Sequence, residues 1–298
     1  MTNMKKFSVF ILFFLLLFLL GGCGAAQAPA QVAATTLPVY DFTLRLCQGT
    51  PITVTRLVTE QVSCLHDYSL NVRQVKAAEA AQTIVISGAG LEEFLEDILP
   101  DAGTIDASQG IDLIGADETH EHGHEDAHEG HHHEVDPHIW LSPVNAKAMA
   151  RNICGGLSQK YPEYAETFDT NLEALLSALD ALQAYGEDTL AALSCRELIT
   201  FHDGFAYFAG AFDLTILEAI EEESGSEASA RELIHLIEEV EHHRLPAIFT
   251  EKSGSVSAAA VIARETGANV YTLDMAMAGD SYFAAMYHNI DTIKEALQ

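Results

Sequence analysis

The positions of apolar and polar residues along the first half of the chain predict strands that alternate with helices. The predicted strands cover residues 52–58, 83–86 and 111–114. The predicted helices cover residues 69–82, with Ser69 as N-cap, and residues 91–99, which Pro100 ends. Strands that alternate with helices are typical of parallel sheets with helices packed on their faces.

The second half repeats this pattern after a long helical stretch over residues 162–193, in which leucines recur at helical spacing. The predicted strands cover residues 198–201, 247–250 and 270–273, and the predicted helices cover residues 204–212, 227–243, 255–266 and 281–297. The fold class is therefore α/β: two parallel-sheet lobes, over residues 37–161 and 194–298, joined by one long helix over residues 162–193.

The N-terminus has the features of a secretory signal. Lys5 and Lys6 precede an apolar run over residues 7–20, and small residues stand directly before Cys23. This ending resembles the lipobox of bacterial lipoproteins, which implies that residues 1–22 are removed and that Cys23 becomes a lipidated first residue. An ordinary signal peptide with an incidental cysteine is the alternative. We expect an extracytoplasmic protein anchored to the cell membrane, with residues 23–36 as a tether.

The chain is strongly acidic, with 15 Lys and Arg against 44 Asp and Glu. Residues 1–22 contain two of the lysines and none of the acids, so 13 basic residues face 44 acidic ones after their removal. Such a surface repels nucleic acid and anionic headgroups, so no nucleic-acid partner is expected. It attracts cations only weakly and without selectivity, and acidity alone does not indicate a metal site.

The five cysteines leave an even number if Cys23 is lipidated. Three pairings of Cys47, Cys64, Cys154 and Cys195 are then possible. The expected disulfides are Cys47–Cys64 and Cys154–Cys195, because each joins the cysteines closest in sequence. Four buried free thiols are the alternative.

One segment departs from the α/β pattern. Residues 117–134 contain seven acids and seven histidines, and almost nothing apolar. The histidines are His120, His122, His124, His128, His131, His132 and His133. This segment cannot bury a core and is expected to be disordered. It is either an auxiliary loop that gathers metal weakly or a solvated insertion with incidental affinity.

Three histidines outside that segment, and one acid, stand in places that favour a ligand site. His202 and Asp274 directly follow predicted strands, and His66 and His138 lie in short loops, His66 just past the strand over residues 52–58. Ligands bind at the carboxyl ends of strands in α/β sheets. Three imidazoles and one carboxylate suit Zn²⁺. Taken singly, however, each histidine fits a structural role, such as a hydrogen bond at a strand end, better than it fits a ligand role.

With these residues, the chain resembles the metal-specific substrate-binding proteins of bacterial ABC importers, in particular the zinc-binding lipoproteins among them. The similarity covers about residues 38–298 and includes the His-rich insertion before DPHIW. Its most specific segments are DPHIWLSP at 136–143, FHDGFAYFAG at 201–210, IFTEKSGS at 248–255 and YTLDMAMAGDSYFAAMYHNI at 271–290.

The resemblance implies two lobes bridged by a rigid helix, with the metal in the cleft between them and His66, His138, His202 and Asp274 as its ligands. It also implies that an ABC importer membrane permease receives the metal; we expect a monomer. The chain departs from the family at Cys64-Leu65, where Asp-Pro usually precedes the first ligand. Asp67, Asp136, Asp203 and Glu251 are candidates to orient the imidazoles, or are solvated acids.

The metal expected is Zn²⁺, with Mn²⁺ the less favoured alternative. The resemblance implies that manganese-binding relatives place a carboxylate where His202 stands, and imidazole-rich sites suit zinc. Four protein ligands leave no position for water, so we expect no enzyme activity. The rival functions are a manganese-delivering relative, a zinc-dependent surface hydrolase and a metal-stabilised adhesin. His-Glu-x-x-His occurs only inside the His-rich segment, at residues 120–124, 124–128 and 128–132. That segment is expected to be disordered and not to form the helix that this zinc motif requires, which disfavours the hydrolase.

Overall fold

The computed structural model describes residues 31–62, 65, 68–98, 103–115, 135–221, 228–252 and 256–298. In the described part of the chain, no helix combines the length and apolar character that crossing a membrane requires. The predicted signal peptide, its Cys23 and the His-rich segment lie outside these residues.

The first half forms a four-stranded parallel sheet in the order β2-β1-β3-β4. Its strands are β1 (Gln31–Ala34), β2 (Thr53–Arg56), β3 (Thr83–Ile86) and β4 (Thr104–Asp106). The sheet packs against the helices α1 (Leu37–Leu46), α2 (Val72–Ala80) and α3 (Pro143–Lys160). Glu93–Ile98 is a 3₁₀ helix within the segment predicted as a helix over residues 91–99.

The predicted tether over residues 23–36 is wrong for its last six residues. Gln31–Ala34 is a central strand of the sheet, and Val32, Ala33 and Ala34 are almost completely buried. A small side chain suits this position because Ala33 packs in a core cluster with Leu57, Ala78, Ile84 and Leu95. The same small residues that are typical of a linker therefore also fit a crowded strand.

Two local predictions in this half are also wrong. Residues 111–114, predicted as a strand, have no regular secondary structure, and the strand β4 lies earlier in the chain. The chain turns directly after Asp106, and Gly110 in this turn has a φ of +71°. The N-cap of α2 is Asn71 rather than Ser69. The Asn71 side chain accepts from the backbone N–H groups of Arg73 and Gln74. In turn, the Asn71 backbone N–H donates to the Gln74 side-chain oxygen.

The predicted linking helix is α4 (Ala165–Leu190), which follows a 3₁₀ turn at Pro162–Tyr164. Its buried face includes Phe168, Leu175, Leu179 and Leu182. Gly186 is required by close packing, because a Cβ atom there would lie 2.2 Å from the Phe212 ring. A glycine that weakens an isolated helix thus allows α4 to approach the second lobe.

The second half contains two parallel strand pairs with helices packed on them. The pairs join β5 (Glu197–His202) to β6 (Thr215–Glu221) and β7 (Ala247–Glu251) to β8 (Asn269–Leu273). The helices are α5 (Ala206–Ala211), α6 (Ala230–His243), α7 (Ser257–Thr266) and α8 (Tyr282–Leu297). The ends of these four helices, and of β5, β7 and β8, lie within three residues of the predicted ends, so these predictions are confirmed. The apolar pattern did not predict β6.

Within the described residues the predicted Cys154–Cys195 disulfide is absent, and of the predicted pair Cys47–Cys64 only Cys47 is described. Cys154 and Cys195 are free thiols, because Cys154 lies on α3 beside Asp169, at 3.7 Å from its Oδ1, whereas Cys195 packs against the core of the second lobe. Cys47 is also a free, buried thiol, and burial raises its pKa to about 12. Cys64 lies outside the described residues.

Candidate metal centre

His202 is the last residue of β5, and its side chain is buried at the point where β5 and β7 end side by side. Its Nδ1 hydrogen bonds to Oε1 of Glu251, the last residue of β7 and equally buried. Burial alone would lower the pKa of His202, but the hydrogen bond and charge of Glu251, together with the charges of Asp203 and Asp136, outweigh it and raise the pKa. The Glu251 carboxylate therefore holds the proton on Nδ1 and sets the orientation of the ring.

His138 is held in the same manner by its own loop. Asp136 Oδ1 accepts from the His138 backbone N–H at 2.9 Å and contacts His138 Nδ1 at 2.8 Å. The loop is fixed from the second lobe, because the Tyr207 hydroxyl on α5 donates to the Asp136 carbonyl at 3.0 Å. His138 then leads directly into the 3₁₀ turn Ile139–Leu141, which is completely buried.

The two imidazoles lie against each other, with ring centroids 5.3 Å apart and an interplanar angle of 67°. Within the described residues, neither His138 Nε2 nor His202 Nε2 has a hydrogen-bond partner, although both are buried. Buried nitrogens without partners are rare in folded proteins, because each one loses the hydrogen bonds that water would provide. Two of them side by side, each with its Nδ1 held by a carboxylate, are suited to provide two of the four ligands of a tetrahedral metal site.

Gly204 creates the space in front of these nitrogens. A Cβ atom at this position would lie 2.7 Å from His202 Nε2 and 3.2 Å from His138 Cε1, and 2.8 Å from Met275 Cε. Any side chain at residue 204 would therefore occupy the volume that both Nε2 atoms face. Glycine is required at residue 204 because of this close packing, and not because of its backbone conformation, which is not left-handed.

Asp274 directly follows β8, as predicted, and its backbone is fixed by Asn289 on α8. The Asp274 N–H donates to Asn289 Oδ1 at 2.8 Å, and the Asn289 side chain donates to the Asp274 carbonyl at 2.7 Å. In the carboxylate, Oδ1 accepts from the Ala276 N–H at 2.8 Å and Oδ2 accepts from the Lys252 ammonium at 2.6 Å. The carboxylate thus has one oxygen held by a backbone N–H and one paired with the partly exposed Lys252 ammonium.

A small cavity connects Asp274 with the Glu251 end of β7. Its lining residues are Gln61, Val62, Glu251, Lys252, Asp274, Met275, Met277 and Ala278. Because Gln61 and Val62 belong to the first half of the chain, the cavity lies between the two lobes. Asp274 is therefore placed in the cleft in which the resemblance implies a metal.

The loop after Asp274 is tied to the first lobe next to His138. The Trp140 indole N–H donates to the Met275 carbonyl at 2.8 Å, and the Tyr282 hydroxyl donates to the Trp140 carbonyl at 2.8 Å. The Tyr282 backbone N–H donates to Asp41 Oδ2 at 3.1 Å. Burial and the charge of Asp41 raise the pKa of Tyr282, so its hydroxyl remains a donor. These bonds hold the His138 and Asp274 loops in one frame.

The structure thus brings His138 and His202 together and places Asp274 in the adjoining cleft. Within the described residues, no three His, Cys, Asp or Glu side chains already form a metal-binding cluster. His66, Asp67 and all seven histidines of the predicted auxiliary loop lie outside those residues. Of the acids considered as orienting partners, Asp136 and Glu251 are confirmed to contact an imidazole.

The site residues fit a divalent cation better than they fit a catalytic centre. Neutral imidazole nitrogens and a carboxylate oxygen are the donors that Zn²⁺ prefers. The charges of Glu251, Asp203 and Asp136 act on His202 and favour positive charge there, and Asp274 lines the adjoining cavity. Sequence reasoning missed Gly204 and Lys252, although both stand one or two residues from a residue that it singled out.

The chain matches one family model, described as zinc-uptake complex component A, periplasmic (ZnuA), over residues 32–296. It is 29% identical to the zinc-binding lipoprotein AdcA of Streptococcus pneumoniae over 98% of this chain and 61% of AdcA. This chain therefore spans less than two thirds of that relative. It is 32% identical to a Treponema pallidum protein named for metal binding, over 78% of this chain and 76% of the relative.

A solved structure has the same fold. The crystal structure of a ZnuA deletion mutant with zinc bound superimposes with a TM-score of 0.75 at 29% identity, covering 91% of this chain and 98% of that one. The two-lobe α/β architecture with parallel sheets is therefore confirmed for this chain.

Proposed function

The chain belongs to the family of periplasmic component A proteins of zinc-uptake complexes, and we propose that it captures Zn²⁺ outside the cytoplasm and delivers it to the permease of an ABC importer. The named relatives support zinc as the metal, since AdcA is a zinc-binding lipoprotein and a related ZnuA structure contains zinc. AdcA also supports a membrane-anchored, extracytoplasmic location, for which Cys23 would be the lipidated residue.

The observation that carries this proposal is the pair of buried Nε2 atoms of His138 and His202, which face one space without hydrogen-bond partners among the described residues. Their Nδ1 atoms are both engaged by carboxylates, of Asp136 and Glu251, so only Nε2 is free to bind. Metal-ligating histidines in proteins are oriented in this way by a carboxylate on the second ring nitrogen. A purely structural histidine would use its second nitrogen in a hydrogen bond.

We propose that Asp274 and His66 complete the set of four ligands. Asp274 lines the cleft next to Glu251, and the sequence places His66 directly after Leu65, which is buried in the first lobe. The first lobe then contributes His66 and His138, and the second contributes His202 and Asp274. A metal that bridges both lobes stabilises the closed arrangement of the cleft, which is the form a permease can distinguish from an empty protein.

A binding role is favoured over catalysis by the ligand chemistry. Four protein ligands close a tetrahedral zinc site, whereas hydrolytic zinc keeps a position for water. The named relatives are binding proteins rather than enzymes. We also propose that the protein acts as a monomer, since both halves of the ligand set come from one chain.

Metal analysis of residues 24–298 tests the proposed function. We expect one tightly bound Zn²⁺ per chain, retained through dialysis against a weak chelator and released by a strong one. The apo protein should stay folded by circular dichroism and rebind zinc. No tight zinc, or unfolding on its removal, would contradict a transport role, and unfolding would indicate a structural metal instead.

The His-rich segment over residues 117–134 should not be needed for this site. Gly115 and Val135 pair as an antiparallel bridge, so the two ends of the segment are adjacent, and a Gly-Gly link should close the chain without strain. We expect this variant to keep one tight zinc and to lose only weaker additional binding, measured by titration calorimetry. If it lost tight binding as fully as His138→Ala, the ligand assignment would be wrong.

A further inference from the structure

Lys252 places a positive charge directly on a proposed zinc ligand. Its Nζ lies 2.6 Å from Asp274 Oδ2, and the contact joins the residue after β7 to the residue after β8. The Lys252 side chain is 45% exposed, whereas that of Asp274 is only 12% exposed. The ammonium therefore reaches into the cleft from the solvent side and is free to withdraw to it.

The pairing matters because the other oxygen of Asp274 is already committed. Oδ1 accepts from the Ala276 backbone N–H, so Oδ2 is the oxygen whose partner, the Lys252 ammonium, is a side chain that can be displaced. Zn²⁺ binds a carboxylate oxygen at about 2.0–2.2 Å. A metal on Oδ2 and an ammonium 2.6 Å from the same atom would be two cations in close repulsion, which the loss of water from the cleft strengthens.

Lys252 also has a role when no metal is bound. Glu251 and Asp274 both line the cleft cavity, and Asp136 lies beside the adjacent His138. These carboxylates repel one another without a cation between them. The ammonium offsets part of that repulsion and so stabilises the metal-free protein that a transport cycle must return to.

We propose that Lys252 is a built-in competitor for the metal, which pairs with Asp274 in the empty protein and is displaced when Zn²⁺ binds. This inference rests on the proposed function and adds to it a determinant of affinity and release. Because each zinc must expel the ammonium, Lys252 lowers the affinity, and because the ammonium stays tethered nearby, it speeds dissociation by taking over Asp274.

A series of charge changes at Lys252 tests this. We expect Lys252→Gln to bind zinc about fivefold more tightly, which corresponds to about 1 kcal/mol for a partly exposed ion pair. Lys252→Glu should bind more tightly still, and Lys252→Arg should remain near wild type. Affinities come from competition with a chromogenic chelator, and dissociation rates from a stopped-flow chase with excess chelator, in which Lys252→Gln should be slower.

Lys147 provides a matched control. Its ammonium also pairs with an aspartate at 2.7 Å, that of Asp180, but on the helices α3 and α4 rather than in the cleft. Lys147→Gln removes the same charge from the chain and should leave zinc affinity unchanged. If it tightened binding as much as Lys252→Gln, the effect would belong to the net charge of the protein, and the proposed competition would be wrong.

The remaining outcomes separate the two proposals. A wild-type chain that binds no zinc overturns the proposed function, and this inference with it. A wild-type chain that binds zinc, with Lys252→Gln unchanged or weaker, overturns only the inference, since Lys252 would then position Asp274 for the metal instead of competing with it. Equal dissociation rates for wild type and Lys252→Gln would also contradict it.

Discussion

His202→Ala is expected to lower the affinity for Zn²⁺ by at least about 100-fold. Loss of a residue that only orients a ligand typically costs about 10–100-fold, and here the ligand itself is removed. The variant also leaves Glu251 buried without its partner, so the metal-free protein should melt at a lower temperature. Competition titrations at a temperature where circular dichroism shows the variant folded measure the affinity separately from stability.

The variant His202→Glu tests which metal the site prefers. The change exchanges a neutral nitrogen donor for an anionic oxygen on a side chain long enough to reach the metal. Zinc should lose more affinity than manganese, because imidazole suits zinc and carboxylate suits manganese. The expected result is a smaller Zn²⁺/Mn²⁺ preference, although zinc still binds more tightly in absolute terms. His202→Ala should weaken the binding of both metals.

His235→Ala is the control for both variants. His235 lies on α6, is largely exposed, and contacts Glu218 at 3.4 Å rather than a buried carboxylate. Its removal should change neither affinity nor metal preference. Unchanged zinc binding in both His202 variants would mean that this residue only ends a strand, and the zinc assignment would have to be abandoned.

The sequence predicts the second lobe well because its strands are short apolar runs with abrupt ends. His202 ends β5, Glu251 ends β7, and Asp274 directly follows β8. Parallel strands bring their carboxyl ends to one edge of a sheet. The placement of His202 and Asp274 follows from that rule alone. β6 was missed because its acidic and apolar residues, TILEAIE, lack a clear apolar run.

The first lobe shows where composition misleads. Residues 31–36 are small, and the same small side chains serve a flexible linker or a strand crowded on both faces. Only the surrounding core decides between the two, and that core is assembled from distant parts of the chain. The Cys154–Cys195 disulfide failed for a similar reason, since closeness in sequence did not show that Cys154 lies in α3 beside Asp169 whereas Cys195 packs against the core of the second lobe.

Contacts within the site were the least predictable part. Four acids qualified equally as partners for the imidazoles. Among the described residues, the loop carries the Asp136 carboxylate to His138 Nδ1, and β7 carries the Glu251 carboxylate to His202 Nδ1. The Lys252–Asp274 pair joins two strand ends that are 22 residues apart. Spacing places a residue at an edge, but it does not determine which side chain meets which.

Gly204→Ala is expected to lower zinc affinity by about 10–100-fold without removing any ligand. The added Cβ would lie 2.7 Å from His202 Nε2 and 3.2 Å from His138 Cε1, so it would push both rings from their positions and fill part of the metal's space. Displacing a ligand ring costs affinity in the same range as losing its orienting partner. Both rings are buried, so the clash is not relieved by moving toward solvent, and overpacking should destabilise the protein by about 1–3 kcal/mol.

Gly210→Ala makes the same chemical change six residues later, in α5, where nothing lies within 4 Å of the added Cβ. It should leave zinc affinity unchanged and slightly stabilise the protein, because alanine favours a helix by about 0.5–1 kcal/mol over glycine. Calorimetric titration and thermal melts of the two variants therefore separate steric closure of the site from a general effect of losing a glycine. If Gly204→Ala bound zinc as tightly as Gly210→Ala, the space in front of the two Nε2 atoms would not be the metal's position, and the pair of imidazoles would require another explanation.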